Sequence, residues 1–377
     1  MPPVPPGPLD AVLARMADLD ASDVFLTVGA PPMALVGKRM VRLSERQLSG
    51  PDLERLAAPF LADSRAASFA ERPDLDLAHA VAGKGRFRLN IFRQRGDLGI
   101  VARRVKLEVQ SIEQLGLPAV LSKLALEPRG LLLVTGATGS GKSTTLAAMI
   151  DHRNATLEGH IVTIEDPIEF VHPHRRSIVT QREVGIDTAS FHDALRSALR
   201  QAPDLLLVGE IRDRETAEAA IHFAETGHLV MATLHSTNAA QTLERLVNLF
   251  PEELHPQVLL LLSLSLCGIV SQRLIPTSDR KSRVAAVEVL LPTPRVRDLV
   301  KQGDVAGVKT ALAEGGDGMQ SFDEALYQLV RLGHFQRDDA ARYADSPSDF
   351  KLRFRLADAA KARDLETDEG FSKLSVM

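Results

Sequence analysis

The stretch Leu131–Thr145, LLLVTGATGSGKSTT, restricts the possible folds of this chain more than any other. A short apolar run, Leu131–Val134, reads as a buried strand. A glycine-rich turn follows from Gly136 to Gly141, and then come Lys142, Ser143 and Thr144 at the start of a helical stretch, Leu146–Ile150. This is the pattern G-x-x-x-x-G-K-[ST] in the setting it needs, strand before and helix after. Glycines at 136, 139 and 141 permit positive φ and carry no side chain, so the N–H groups of the loop (Gly136, Ala137, Thr138, Gly139, Ser140, Gly141) can turn inward around a phosphate. The helix start adds unpaired N–H donors and a positive dipole end. Lys142 brings a cation to the β and γ phosphates. The Ser143 hydroxyl, beside Thr144, is a candidate Mg²⁺ ligand. The chain therefore reads as a nucleotide-binding protein.

The rest of the composition narrows the class. At 377 residues the chain has room for two or three domains. A net charge of −4 gives no overall pull toward nucleic acid or anionic lipid. A single cysteine, Cys267, excludes a disulfide framework and a multi-cysteine zinc site. The N-terminus, MPPVPPGPLD, has neither the positive nor the apolar region of a signal peptide. The longest apolar run, Val258–Val270, is too short to span a bilayer and is expected to form a buried helix. These features predict a cytoplasmic protein with no transmembrane segment.

Read in order, a proline-rich tail precedes a helix whose apolar face is Leu9, Val12, Leu13, Met16 and Leu19. Strands are expected at Val24–Val28 and over Met33–Leu43, with Gly37-Lys38 as a turn, and a helix from Ser49 toward Phe69. A hairpin turns at Gly83-Lys84-Gly85. In its second arm, RFRLNIFR, apolar residues alternate with Arg86, Arg88 and Arg93, so one face would be buried and the other cationic. A strand Leu98–Val105 ends in Arg103-Arg104. This gives a small α+β domain over roughly 1–108. A linker at 109–117 leads to strands alternating with helices, the pattern of a parallel sheet with crossover helices, over 118–290. A mainly helical region and tail fill 291–377.

Acidic residues at the ends of apolar strands carry the expected chemistry, because ligands of open parallel sheets sit beyond the strands' carboxyl ends. Glu210 ends the strand Leu205–Val208, where a carboxylate would face Mg²⁺. Glu165-Asp166-Pro-Ile-Glu169 follows the strand His160–Ile164, and one of Glu165 and Glu169 is expected to polarise the attacking water. His228 and His235 flank one strand. A seven-residue strand spans roughly 20 Å, so the two cannot share a phosphate; His235, at the carboxyl end, is the candidate γ-phosphate sensor. His228 is a candidate contact at a domain or subunit boundary, and equally a structural histidine. His172 and His174 read as loop residues. Arg88, Arg103 and Arg104 are candidates to reach a triphosphate in a neighbouring subunit, or else form a solvated sheet face.

The order TGATGSGKSTT, TIEDPIEF, LLLVGEIRD, GHLVMATLHSTNA resembles the Walker A, Asp box, Walker B and His box of the secretion and type IV pilus ATPases. SDVFLTVGAPP and GRFRLNIFRQ resemble the N-terminal PAS-like domain of the pilus retraction branch, PilT and PilU. TQREVGIDTASF, LRQAPDLLLVGEIR and YADSPSDFKLRFRL are most similar to the PilU side. Where PilT has A-I-R-N-L-I-R, residues Arg295–Lys301 read RVRDLVK. The resemblance implies a PAS-like domain followed by a RecA-like P-loop ATPase domain with a mainly helical C-terminal region. It implies a homohexameric ring with MgATP between subunits, Glu169 as catalytic base and Glu210 on Walker B. It also implies force applied to a pilus machine through an inner-membrane, PilC-like platform protein, beside a PilT-type ATPase. A RecA-like nucleic-acid translocase is disfavoured by the absence of excess positive charge and of a basic, aromatic-rich strand surface. An accessory ring subunit that binds ATP chiefly to shape a partner motor stays open beside the hydrolytic motor.

Overall fold

The computed structural model describes residues 7–37, 39–62, 64–105, 108–278 and 282–358. The chain divides into two compact units. The first comprises residues 1–109 together with two returning segments, Pro167–His172 and Glu183–Asp187; the second holds the remainder.

The first unit is built on a six-stranded sheet: β1 (Asp23–Thr27), β2 (Met33–Val36), β3 (Arg39–Arg42), β4 (Asp74–Val81), β5 (Gly85–Gln94) and β6 (Asp97–Arg104). Its order is β3-β2-β1-β6-β5-β4, with every paired neighbour antiparallel. Alternation decides which face is covered. Phe87, Leu89 and Ile91 of β5 are fully buried, and they pack with Leu9, Leu13 and Met16 of the helix Pro8–Asp18 and with Leu53 and Leu56 of the helix Gly50–Ala57. Arg86, Arg88 and Asn90 alternate with them and remain partly exposed. The expected single helix from Ser49 toward Phe69 is instead two, Gly50–Ala57 and Ser64–Glu71. Pro59 lies between them; it lacks the N–H for a helical bond and its ring collides with the preceding turn.

The second unit holds seven strands: β7 (Gly130–Thr135), β8 (Gly159–Glu165), β9 (Ser177–Glu183), β10 (Leu205–Val208), β11 (Leu229–Leu234), β12 (Leu266–Pro276) and β13 (Arg283–Leu290). The order is β13-β12-β7-β11-β10-β8-β9. β12, β7, β11, β10 and β8 run parallel, and β13 pairs antiparallel with β12. Every residue of β7, β10 and β11 is buried, as expected where helices cover both faces of a parallel sheet. The two strand ends that matter most, those of β7 and β10, flank β11.

The run Val258–Val270, expected to be one buried helix, splits. A helix, His255–Ser265, ends where β12 begins, with no residue between them. Leu260 and Leu264 of that helix are exposed rather than buried. Residues 266–270 hold the β-branched Ile269 and Val270, which suit a strand better than a helix. The strand bulges at Cys267 as it aligns with β7. A continuous apolar run carries no period by which to separate the two elements. Arg297, on the helix Pro294–Gln302, donates to the carbonyls of Ser263, Leu264 and Pro292 and so satisfies the end of the first helix.

Candidate functional site

Five parallel strands aim their carboxyl ends at one edge of the second sheet, and the chemistry-bearing residues follow those ends. The loop after β7 has Gly136 at φ 148°, Gly139 at φ 76° and Gly141 at φ 93°. A Cβ on Gly136 would lie 2.5 Å from the Gln272 carbonyl oxygen, and one on Gly141 would lie 2.7 Å from Gln272 Nε2. These two positions thus exclude side chains by contact as well as by dihedral. The helix Lys142–Thr156 starts directly after Gly141, so its first N–H groups face the loop. Lys142 is buried, and its Nζ donates to the carbonyls of Gly136 at 2.8 Å and Ala137 at 3.2 Å. Ser140 Oγ is buried without a hydrogen-bond partner. A loop with inward glycine backbone, a cation at its root and an orphaned hydroxyl fits a phosphate chain.

Glu210 follows β10. Its Oε1 is 3.2 Å from His235 Nε2, and its Oε2 is 2.7 Å from Arg212. Arg212 also reaches Asp166, at 3.7 Å. The hydrogen bond to Glu210 raises the Arg212 guanidinium above its ordinary pKa. Thr233 of β11 donates its hydroxyl to the Gly209 carbonyl, and the Ile211 N–H bonds the Thr233 carbonyl at 2.9 Å; together they fix the turn that carries Glu210. The expected Walker B carboxylate and the expected sensor histidine are therefore in direct contact. A carboxylate at a strand end and the Ser143 hydroxyl at the helix start are hard oxygen donors of the kind Mg²⁺ takes.

Glu165 sits at the end of β8, where its Oε1 accepts from Thr163 at 2.7 Å and Gln181 at 3.3 Å. Glu169 is exposed and lies in the segment Pro167–His172, which packs with the first unit. His228 stands at the other end of β11 from His235. Its Nδ1 is 3.2 Å from both the Phe223 carbonyl and Thr226 Oγ1, and its ring meets Phe223 edge-on. The structure does not bring His228 together with Glu210.

Each candidate arginine of the first unit has an acidic partner: Arg88 with Asp76 at 3.8 Å, Arg103 with Asp23 at 2.7 Å, Arg104 with Asp20 at 2.9 Å. Arg88 and Arg103 are directly opposite across β5 and β6, on the face away from Phe87 and Leu89. Arg104 pairs with Phe87 and so belongs to the other face, where it also reaches the Ala17 carbonyl. Arg86 reaches the buried Glu183 at 3.4 Å, whose carboxyl burial pushes above its usual range.

Several residues near the loop had no signal in the sequence. Gln272 accepts from Thr145 of the loop's helix at 2.7 Å and touches both loop glycines. Ser271, Thr242 and Glu288 lie in the same buried neighbourhood. Ordinary polar residues inside strands reveal such roles only once strand order is known. Cys267 is set aside by its surroundings: burial raises its thiol to about 12, which leaves it un-ionised at neutral pH.

Comparison with known proteins matches this architecture to named relatives. Residues 94–327 match the model of the family described as type II/IV secretion system protein. The chain is 45% identical to the type IV pilus ATPase PilU of Pseudomonas aeruginosa over 359 residues, covering 95% of this chain and 94% of PilU. It is 44% identical to PilT of the same organism over 340 residues, covering 90% of this chain and 98% of PilT. A crystal structure of the pilus retraction motor PilT with bound ADP superposes with a TM-score of 0.84 at 41% identity, covering 90% of this chain and 98% of that one. The chain belongs to the type II/IV secretion system family of P-loop ATPases, in its PilT/PilU pilus retraction branch.

Proposed function

We propose that this chain is a subunit of a homohexameric motor that hydrolyses MgATP to drive or assist type IV pilus retraction, in the manner of PilU. The observation that carries the reading is the gathering of the phosphate loop, Glu210 and His235 at the carboxyl ends of one parallel sheet. The loop N–H groups hold the phosphates, and Lys142 exchanges its carbonyl partners for phosphate oxygens. Ser143 and Glu210 would hold Mg²⁺, which when bound neutralises charge on the phosphates. Glu169 orients and deprotonates the attacking water, with Glu165 held by Thr163 as the neighbouring carboxylate. His235, in contact with Glu210, senses whether the γ-phosphate is present. Arginines of the first unit, from Arg88, Arg103 and Arg104, reach the phosphate of an adjoining subunit and exchange their acidic partners for it. The ring works beside a PilT-type ATPase and docks peripherally on a PilC-like platform at the inner membrane. No helix among the described residues is long and apolar enough to cross a bilayer.

The test is steady-state ATPase activity of the purified full-length chain, with its oligomeric mass followed and a PilT-type ATPase added to half the samples. Turnover by a six-subunit particle, lost in Glu169→Gln, is the expected result. ATP binding without turnover, with or without the partner, overturns the hydrolytic reading. Turnover that appears only with the partner assigns an accessory role.

A further inference from the structure

A row of residues crosses four strands of the second sheet at the level where the phosphate loop begins. Glu288 of β13 stands opposite Ser271 of β12, Ser271 opposite Thr135 of β7, and Thr135 opposite Leu234 of β11. Thr135 is the last residue before Gly136, and Leu234 the last before His235. The row therefore links β13, at the edge of the sheet, to both functional loops.

Its polar members are bonded. Thr135 Oγ1 donates to Ser271 Oγ at 3.1 Å. Thr242, on the helix Ala239–Val247, lies 3.3 Å from Thr135 Oγ1 and 2.7 Å from Ser236 Oγ. Glu288 accepts the backbone N–H of Ala239, the first residue of that helix, at 2.7 Å. Asn238 caps the same helix from its own side chain, accepting the Gln241 N–H at 2.8 Å. Glu288 is 3% exposed, and Thr135, Ser271 and Thr242 are fully buried.

A carboxyl group so deeply buried is costly, and an apolar residue of similar size would avoid the cost. What this carboxyl contributes in return is geometric. His235 is separated from Ala239 by three residues, Ser236, Thr237 and Asn238. All three are themselves bonded to the helix: Ser236 to Thr242, Thr237 to Gln241, and Asn238 through its cap on Gln241. Fixing Ala239 therefore fixes the short segment that carries His235, whose Nε2 meets Glu210 at 3.2 Å.

We propose that Glu288 is a positioning residue for ATP hydrolysis: by holding the N–H of Ala239 it sets the helix start that keeps His235 against Glu210. The inference rests on the hydrolytic reading above, and on His235 acting in it. Glu288 holds Ala239 and not His235 itself, so its influence passes through the segment that carries His235. Either protonation state of the carboxyl can accept the N–H, and a glutamine in its place can do the same.

The experiment compares Glu288→Ala, Glu288→Gln, His235→Ala and the double variant Glu288→Ala/His235→Ala in the full-length chain, measuring kcat, KM for ATP and ADP affinity. Glu288→Ala is expected to lower kcat about tenfold, the effect of one lost buried hydrogen bond, with KM and ADP affinity within about twofold. Glu288→Gln keeps kcat within about twofold. The double variant falls no further than His235→Ala alone, because both act through one contact. A folded Glu288→Ala with parental kcat overturns the proposal, as does a loss additive with that of His235→Ala, or one shared equally by ADP affinity. Should the alanine variant not fold, Glu288→Met keeps the volume without the acceptor and carries the same comparison. Hydrogen exchange across residues 235–243 separates this proposal from the hydrolytic reading. If the parent binds ADP but shows no turnover, hydrolysis fails; faster exchange in Glu288→Ala, with parental exchange in Glu288→Gln, still upholds the positioning, and equal exchange in all three overturns it.

Discussion

The two sheets of this molecule put charge to use in different ways. In the first, charged residues lie along the strands, on alternating positions, and pair with acids on neighbouring strands or turns: Arg88 with Asp76, Arg103 with Asp23. In the second, the central strands β7, β10 and β11 carry no charged residue and are buried throughout, and the charged groups of the site collect at or just past the carboxyl ends of the parallel strands, as with Glu165, Glu210 and His235. An antiparallel sheet reverses direction at each hairpin, so its strand ends are shared between two edges. A parallel sheet sends every carboxyl end to one edge. Pattern thus makes a surface in the first unit, and topology makes a site in the second.

The largest expected effect tests that site directly. Lys142→Ala lowers ATP affinity by about 10²-fold or more, through loss of charge-assisted hydrogen bonds, as measured by binding of a fluorescent ATP analogue. Glu169→Gln leaves that binding within about twofold and cuts turnover by about 10²–10³; equal ATPase rates in this variant and the parent would remove Glu169 from the mechanism. Together these two separate holding the phosphate from attacking it.

The next tests ask whether the second sheet has a polar face at all. Leu206 and Leu207 point to opposite faces of β10, and both are buried. Replacing either by alanine should cost about 2–5 kcal/mol in chemical denaturation. In β5 the same substitution at Leu89 should cost about as much, while Asn90→Ala, on the partly exposed face, should cost under about 1 kcal/mol. Similar values for Leu206 and Leu207 but unlike values for Leu89 and Asn90 would express the contrast between the sheets in energies.

How much of this was legible in advance follows the same line. β10 was readable to the residue, because LLLV between Pro203-Asp204 and Gly209 is too short for a helix. The glycine loop was readable because its dihedral needs leave few alternatives, and Ser190 was readable as a cap; it accepts the Asp193 N–H at 3.1 Å. β12 was not, because its first residues continue an apolar helix without any break in composition. Nor was the contact between His235 and Glu210, which are 25 positions apart and meet only because β10 and β11 are neighbours. The row from Glu288 to Leu234 was hidden for the same reason: it runs across the strands, and sequence patterns run along them.

A smaller effect concerns pH. Burial raises the Glu288 carboxyl from its ordinary 4.5 to about 7, against the opposing pull of the Ala239 N–H, Ser271 and Arg273, with Asp345 adding to the rise. A raised acid binds its proton more tightly in the folded state. Its contribution is therefore fully present below about 4.5 and is lost as pH rises through about 7, a change of about 3 kcal/mol at most. Denaturant titrations from pH 4.5 to 7.5 should show that decline in the parent and its absence in Glu288→Gln. The smallest effect is expected at Arg104, on the covered face of the first sheet. Arg104→Ala should change ATPase turnover less than Arg88→Ala or Arg103→Ala, and a larger loss there would reverse the assignment of faces.

The direct passage from the helix His255–Ser265 into β12 has a mechanical meaning. A loop between two elements is a compliant joint, because its backbone dihedrals can absorb a displacement. Here no such joint exists, and Arg297 ties three carbonyls around the junction. Helix and strand thus form one continuous path, interrupted by the bulge at Cys267 and not by a loop, with Gln272 against the phosphate loop toward one end and the exposed Leu260 and Leu264 toward the other. A shift of the loop would reach that leucine surface along the chain itself, with the bulge at Cys267 as the place on the way that can yield.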